Sequence, residues 1–124
     1  MKKDDRDLNY LIFTDEYCGI QFWIMQRGFH GLDHDLIWYC AYVKPPEDKL
    51  DLDVNELEVH GGITYRGGLR PHIEDYVWGW DYHHSFDIVD FPDHLATRLQ
   101  IKPIKEVIDI VSEDCQDFIR QYLL

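Results

Sequence analysis

Asp81, His84 and Asp87 stand in the spacing D-x-x-H-x-x-D, and His60 lies upstream in the segment Val59–Gly68, VHGGITYRGG. Carboxylates and imidazoles together suit zinc, manganese or iron, and three protein ligands with one open position is the form of a catalytic metal site. A divalent metal, zinc or manganese, is the cofactor that His60, Asp81, His84 and Asp87 would take. The same residues serve two other chemistries. An Asp–His hydrogen bond can fix a loop, and His84 or His60, oriented by Asp81 or Asp87, can move protons. In a continuing strand Asp81 shares a face with His83 while Tyr82 shares the other with His84. Asp81 and His84 converge only if the chain turns near His83.

A second group is Thr64–His72, TYRGGLRPH, a local basic patch holding Arg66, Arg70 and His72 beside the amides of Gly67 and Gly68. Glycine amides and arginine forks are the parts of an anion or phosphate pocket. Tyr65, Trp78, Trp80 and Tyr82 are close enough in sequence to stack a base or ribose. The plain alternative is a hairpin turn whose arginines pair with surface acids. Trp78 and Trp80 share one face, either core or an aromatic platform. His30 and His34, beside Asp33 and Asp35, read as a solvated cluster in a hairpin loop. No phosphate-binding P-loop, G-x-S-x-G or H-E-x-x-H is present.

These residues need elements to hold them. The chain has 124 residues, 45% hydrophobic and 15% aromatic, enough for one domain, 1–124, with residues 1–7 frayed. Ile20–Arg27 alternates: Ile20, Phe22, Ile24 and Gln26 on one face, Gln21, Trp23, Met25 and Arg27 on the other. Leu8–Thr14 reads as a short strand or a turn of helix, broken by Asp15–Gly19. Gly28–Asp35 carries turn chemistry, and Leu36–Val43 returns as a central strand ended by Pro45 and Pro46. Leu57–Tyr65 reads as a strand whose Gly61–Gly62 pair marks a bulge or a close approach, and Tyr76–His83 as its partner. Asp93 caps a short helical piece, Leu95–Gln100. From Pro103, at the first helical position, Ile104, Val107, Ile108, Val111, Cys115, Phe118, Ile119, Tyr122 and Leu123 keep the helical period. The fold class is α+β: an antiparallel meander of about four or five strands with a C-terminal amphipathic helix packed on one face.

The net charge of −12 repels phosphates and anionic lipid, which argues against direct nucleic-acid binding and against a membrane surface. It suits a basic protein partner. Cys18, Cys40 and Cys115 are widely spaced inside apolar segments and read as reduced, mostly buried thiols. The charged start, MKKDDRDLNY, is unlike a signal peptide, and the expected location is cytoplasmic.

Three segments carry a family resemblance: Trp38–Val43, WYCAYV; Val59–Tyr65, VHGGITY; and Gly79–Asp87, GWDYHHSFD. Together they resemble a family of small proteins from phages, prophages and their bacterial hosts, marked by a "cGYV" strand, an "HGGLTY" segment and a "GFDxxHxxD" segment before a C-terminal helix. The likeness covers about Leu36 to Leu124 and departs at Ala41, where the family tends to glycine, and in the longer approach Arg66–Asp75. It implies that His60, Gly61, Gly62, Asp81, His84 and Asp87 matter and that His83 is free to vary. It also implies a host-directed role, such as blocking a defence protein or capturing a nucleotide signal. The expectation is a small acidic binding protein, with a small anionic or nucleotide-like ligand held by His60, Gly61, Gly62, Tyr65, Arg66, Trp80, Asp81, His84 and Asp87. The alternatives are a metal-dependent hydrolase using His60, Asp81, His84 and Asp87, and an acidic module that docks on a basic host protein.

Overall fold

The computed structural model describes residues 8–30, 35–70, 72–82, 89–90 and 103–124. Strands β1 (Tyr10–Tyr17) and β2 (Ile20–His30) form an antiparallel hairpin closed by Cys18 and Gly19. Both turn residues have positive φ, 51° and 82°, the mirror-image turn whose twist matches that of the strands it joins. A turn this tight lets the strand run through Asp15 and Glu16, where the sequence suggested a break. Their side chains cost little there because both are exposed.

Strand β3 (Asp35–Val43) pairs with β2 along its length. Its other edge is shared by β5 (Ile73–Asp81) at one end and by β6 (Val89–Asp90) at the other. Strand β4 (Tyr65–Leu69) pairs only with β5, so the order is β1-β2-β3-β5-β4 with β6 beside β3. The sheet is thus not a simple meander. After β3 the chain passes Pro45 and Pro46, makes short 3₁₀ turns at Glu47–Lys49 and Val54–Glu56, and enters the edge position before doubling back. The second turn is capped by Asp53, whose carboxylate accepts from the Asn55 amide at 3.0 Å.

Leu57–Thr64, expected as strand, is irregular. The Gly62 amide donates to the Val59 carbonyl at 2.8 Å, and Gly61 has φ of +70°. That is a type II turn, which needs glycine at its third position. The segment turns because the left-handed residue is met before any ladder can form.

Helix α1 (Ile104–Phe118) begins after Pro103, which sits at the cap, one residue earlier than its sequence placement, and continues as a wider turn over Ile119–Leu123. Val107, Val111, Cys115, Phe118, Ile119 and Leu123 pack on Phe22, Ile24, Ala41, Val43, Trp78, Trp80 and Tyr82. Trp78 and Trp80 are 1% exposed, so they are core and not a platform. Ile104, expected inward, is exposed. Tyr122 ties the irregular segment down, its hydroxyl accepting from the Glu58 amide at 2.8 Å. The antiparallel sheet with a helix on one face is α+β. Among the described residues no helix is long and apolar enough to cross a membrane.

Candidate functional site

The far face of the sheet, away from α1, has its own cluster: Trp23, Met25, Cys40, Tyr42, Ile73 and Val77, flanked by Trp38, Tyr65 and Leu69. Register arranges it in rows, since residues opposite one another in antiparallel strands share a face. One row runs Trp23, Tyr42, Gly79, Tyr65; the next runs Met25, Cys40, Asp81; the third pairs Arg27 with Trp38. Gly79 shapes the first row. A Cβ there would stand 2.4 Å from Cδ1 of Tyr42, so only glycine lets that ring lie across β5. The Tyr42 ring then meets Tyr65 edge to face, with centroids 5.9 Å apart and planes at 89°. Beside it opens a cleft of about 250 Å³ lined by Arg27, Trp38, Cys40, Tyr42, Thr64, Tyr65, Trp80 and Asp81.

Burial, the dominant influence, pushes the Cys40 thiol up to about 11; Asp81 adds to this while Tyr42 and Arg27 oppose it. Cys40 is therefore a neutral floor at ordinary pH and not a thiolate nucleophile. The Tyr42 phenol is likewise driven up, first by burial and then by Cys40, and stays a hydrogen-bond donor. Thr64 Oγ1 donates to Oδ2 of Asp81 at 3.3 Å and fixes that carboxylate at the rim. Among the described residues no carboxylate lies within ion-pairing distance of Arg27. In a chain with 24 acidic and 12 basic residues, a guanidinium in an aromatic cleft without such a partner is a ready anion anchor.

The residues singled out from the sequence divide between the two faces. Tyr65, Trp80 and Asp81 line the cleft, although the Trp80 ring itself packs on Phe118 at 5.3 Å under the helix. His60 occupies the second position of the type II turn, not a strand. Its ring stacks on Tyr82, with centroids 4.7 Å apart and planes at 17°. Tyr82 belongs to the helix-side core, so His60 and Asp81 serve opposite faces. Gly61 and Gly62 make the turn; a Cβ at Gly62 would meet nothing within 4 Å, so no close approach requires that glycine. Arg66 is exposed and pairs in register with Trp78, a helix-side residue, which separates it from Tyr65. Arg70 and His72 sit at the β4–β5 turn, where the His72 amide donates to the Leu69 carbonyl at 2.9 Å, and neither lines the cleft. His84 and Asp87 lie outside the described residues, as do His34 and the helical piece expected at Leu95–Gln100. Among the described residues no three His, Cys, Asp or Glu side chains gather as metal ligands.

Under the helix, Trp80 Nε1 donates to the Tyr82 hydroxyl at 3.0 Å, and that hydroxyl donates to Asp114 Oδ2 at 2.5 Å. Burial, then the bond to Asp114, holds the Tyr82 phenol protonated well beyond its usual range. These two bonds join sheet to helix.

Arg27, Trp38, Cys40, Tyr42 and Thr64 were not expected at a site. The signal was present in Ile20–Arg27: an arginine in phase with Trp23 and Met25 shares the face those apolar side chains bury. Cys18 is exposed, while Cys40 and Cys115 are buried, all three as free thiols. No family model matches this chain, and comparison with curated proteins and with solved structures yields no match either.

Proposed function

We propose that this protein is a small acidic binding protein that holds a small anionic, nucleotide-like ligand in the far-face cleft. The observation that carries this reading is Arg27, a guanidinium without an ion-pairing carboxylate among the described residues, beside Trp38, Tyr42 and Tyr65. An anionic group meets the arginine fork while a planar group rests among aromatic walls. The net charge of −12 keeps long phosphate polymers away, and a small ligand with one or two charges meets less repulsion. In the phage-type setting that the segment resemblance implies, the biological form of this activity is capture of a host nucleotide signal. The metal-dependent reading uses His60, Asp81, His84 and Asp87, of which His84 and Asp87 lie outside the described residues, and among the described residues no three candidate ligands gather.

Calorimetric titration with the four common nucleoside monophosphates and with inorganic phosphate tests the proposal. At least one nucleotide should bind saturably at micromolar level, and Arg27→Ala should weaken it at least tenfold while leaving the melting temperature within a few degrees. Absence of binding across the panel by the native protein overturns it.

A further inference from the structure

We infer that β1 is a docking edge, which takes a basic, extended segment of a partner protein as an added antiparallel strand. This surface is separate from the cleft, none of whose lining residues is on β1. Strand β1 ends the strand order, and among the described residues no strand pairs with its outer side. Such an edge presents a row of backbone N–H and C=O groups that another chain can pair with. The two edges of this sheet are made differently. Strand β4 has five residues, carries Gly67 and Gly68, and shifts register between Gly67 and Leu69; shortness and irregularity blunt an edge. Strand β1 has eight residues and contains neither proline nor lysine. Its own register shift lies between Leu11 and Phe13, so Phe13–Tyr17 stays paired residue by residue with Ile20–Ile24. That stretch is a regular edge, suited to strand addition.

Charge selects the occupant. Asp15 and Glu16 are both exposed, and as neighbours in a strand they point to opposite faces. Asp15 is in register with Phe22 on the helix side and Glu16 with Gln21 on the far side. Opposite charges facing each other across two strands attract, so the incoming strand carries two consecutive basic residues, one for each face. Glu16 also borders a hollow of about 230 Å³ with Gln21 and Lys44, room for the stem of a long basic side chain; Lys44 itself pairs with Asp75 at 3.4 Å. Two places further along, Phe13 packs on the helix-side core, its ring 6.2 Å from that of Phe22. A residue facing Phe13 extends that apolar surface and is best apolar. A second copy of this chain fits poorly. Antiparallel self-pairing over Phe13–Tyr17 sets Asp15 against Asp15, and like charges directly opposite are unfavourable. It would also join two chains that each carry a net charge of −12, a field that draws in a basic segment instead.

The test titrates the full chain into a fluorescein-labelled peptide, Thr-Lys-Lys-Thr-Val-Thr-Val-Thr, and follows anisotropy at low salt. Its antiparallel register sets the lysines opposite Glu16 and Asp15 and a valine opposite Phe13. The peptide should bind saturably, and amide exchange across Phe13–Tyr17 should slow when it does. Combining Asp15→Lys with Glu16→Lys should weaken it at least tenfold and bring in the counterpart with glutamates in place of the lysines. That variant is still strongly acidic overall, so a gained acidic peptide reports the local pairs, and a misfolded chain cannot show the gain. A backbone N-methylated form of the first peptide should not bind, whereas Arg27→Ala in the protein should leave its binding unchanged. Absence of binding, indifference to the double substitution, or loss of binding in Arg27→Ala overturns the proposal. So does a dimer in sedimentation whose protected amides are those of β1, since the edge is then filled by a second copy. None of these outcomes bears on nucleotide binding in the cleft.

Discussion

The two faces of this sheet are built to different rules. The helix side is apolar throughout its centre: Phe22, Ile24, Val43 and Trp78 meet Val107, Val111 and Phe118, and one hydrogen-bonded chain, Trp80 to Tyr82 to Asp114, runs beside them. The far side mixes Trp23, Met25 and Val77 with Cys40, Asp81 and Arg27, and it keeps a cleft where close packing would otherwise run on. One face closes under the helix and the other keeps a cleft. A protein of this size has few kcal/mol to spare, so charge and empty volume held in a second cluster point to a task other than stability.

Three sets of substitutions break or sharpen that contrast. The largest effect should come from Trp78→Ala under the helix, about 3–5 kcal/mol of lost stability for an indole removed from a closed core. Trp38→Ala at the cleft should cost far less, since that ring is only half-buried. Chemical denaturation of both variants gives the comparison, and equal losses would erase the distinction between the faces.

Gly79→Ala should rank second. Its Cβ would stand 2.4 Å from the Tyr42 ring, so the ring must shift toward the cleft, at a cost of about 1–3 kcal/mol from overpacking. The same shift should block ligand binding. Adding Tyr42→Ala should recover much of the stability lost to Gly79→Ala, a coupling that a double-mutant cycle measures. Additive losses would show that the two residues do not compete for space.

The smallest effect concerns alkaline stability. Tyr82 under the helix and Tyr42 at the cleft both have phenols raised by burial above their ordinary value near 10. The folded state then keeps protons that the unfolded chain releases above about pH 10. Stability is whole below that pH and falls as pH rises past it, by at most about 1.4 kcal/mol per pH unit for each phenol. Tyr82→Phe should also cost about 1–3 kcal/mol at neutral pH, because Asp114 and the Trp80 N–H lose their partner. Denaturation midpoints between pH 8 and 11 should fall less steeply in either Tyr→Phe variant than in the native chain. Slopes identical to native in both would refute the assignment.

Much of the scaffold could be read from residue order. The alternation in Ile20–Arg27 and the period of Val107, Val111, Cys115 and Phe118 each state a local requirement, to bury one side of a strand or helix, and the structure meets both. The HGG segment misled because strand-like Ile63, Thr64 and Tyr65 follow directly, and nothing local shows that Gly61 must take a left-handed turn first. Of the residues expected at a site, Tyr65, Trp80 and Asp81 line the cleft, while His60 and Arg66 go to the other side. One residue's step along an extended chain reverses the side chain's direction, so closeness in sequence was a poor guide to company.

Sequence alone determined the number of faces each element must bury, the acidity of the whole, and the glycine between Trp78 and Trp80. Which face α1 covers, and therefore which tryptophans are core, followed only once the strands were in order. The meeting of Arg27 on β2 with Asp81 on β5 was likewise decided by tertiary structure. They are 54 residues apart by number, and register across β3, set by the packing of the whole sheet, is what places them at one cleft.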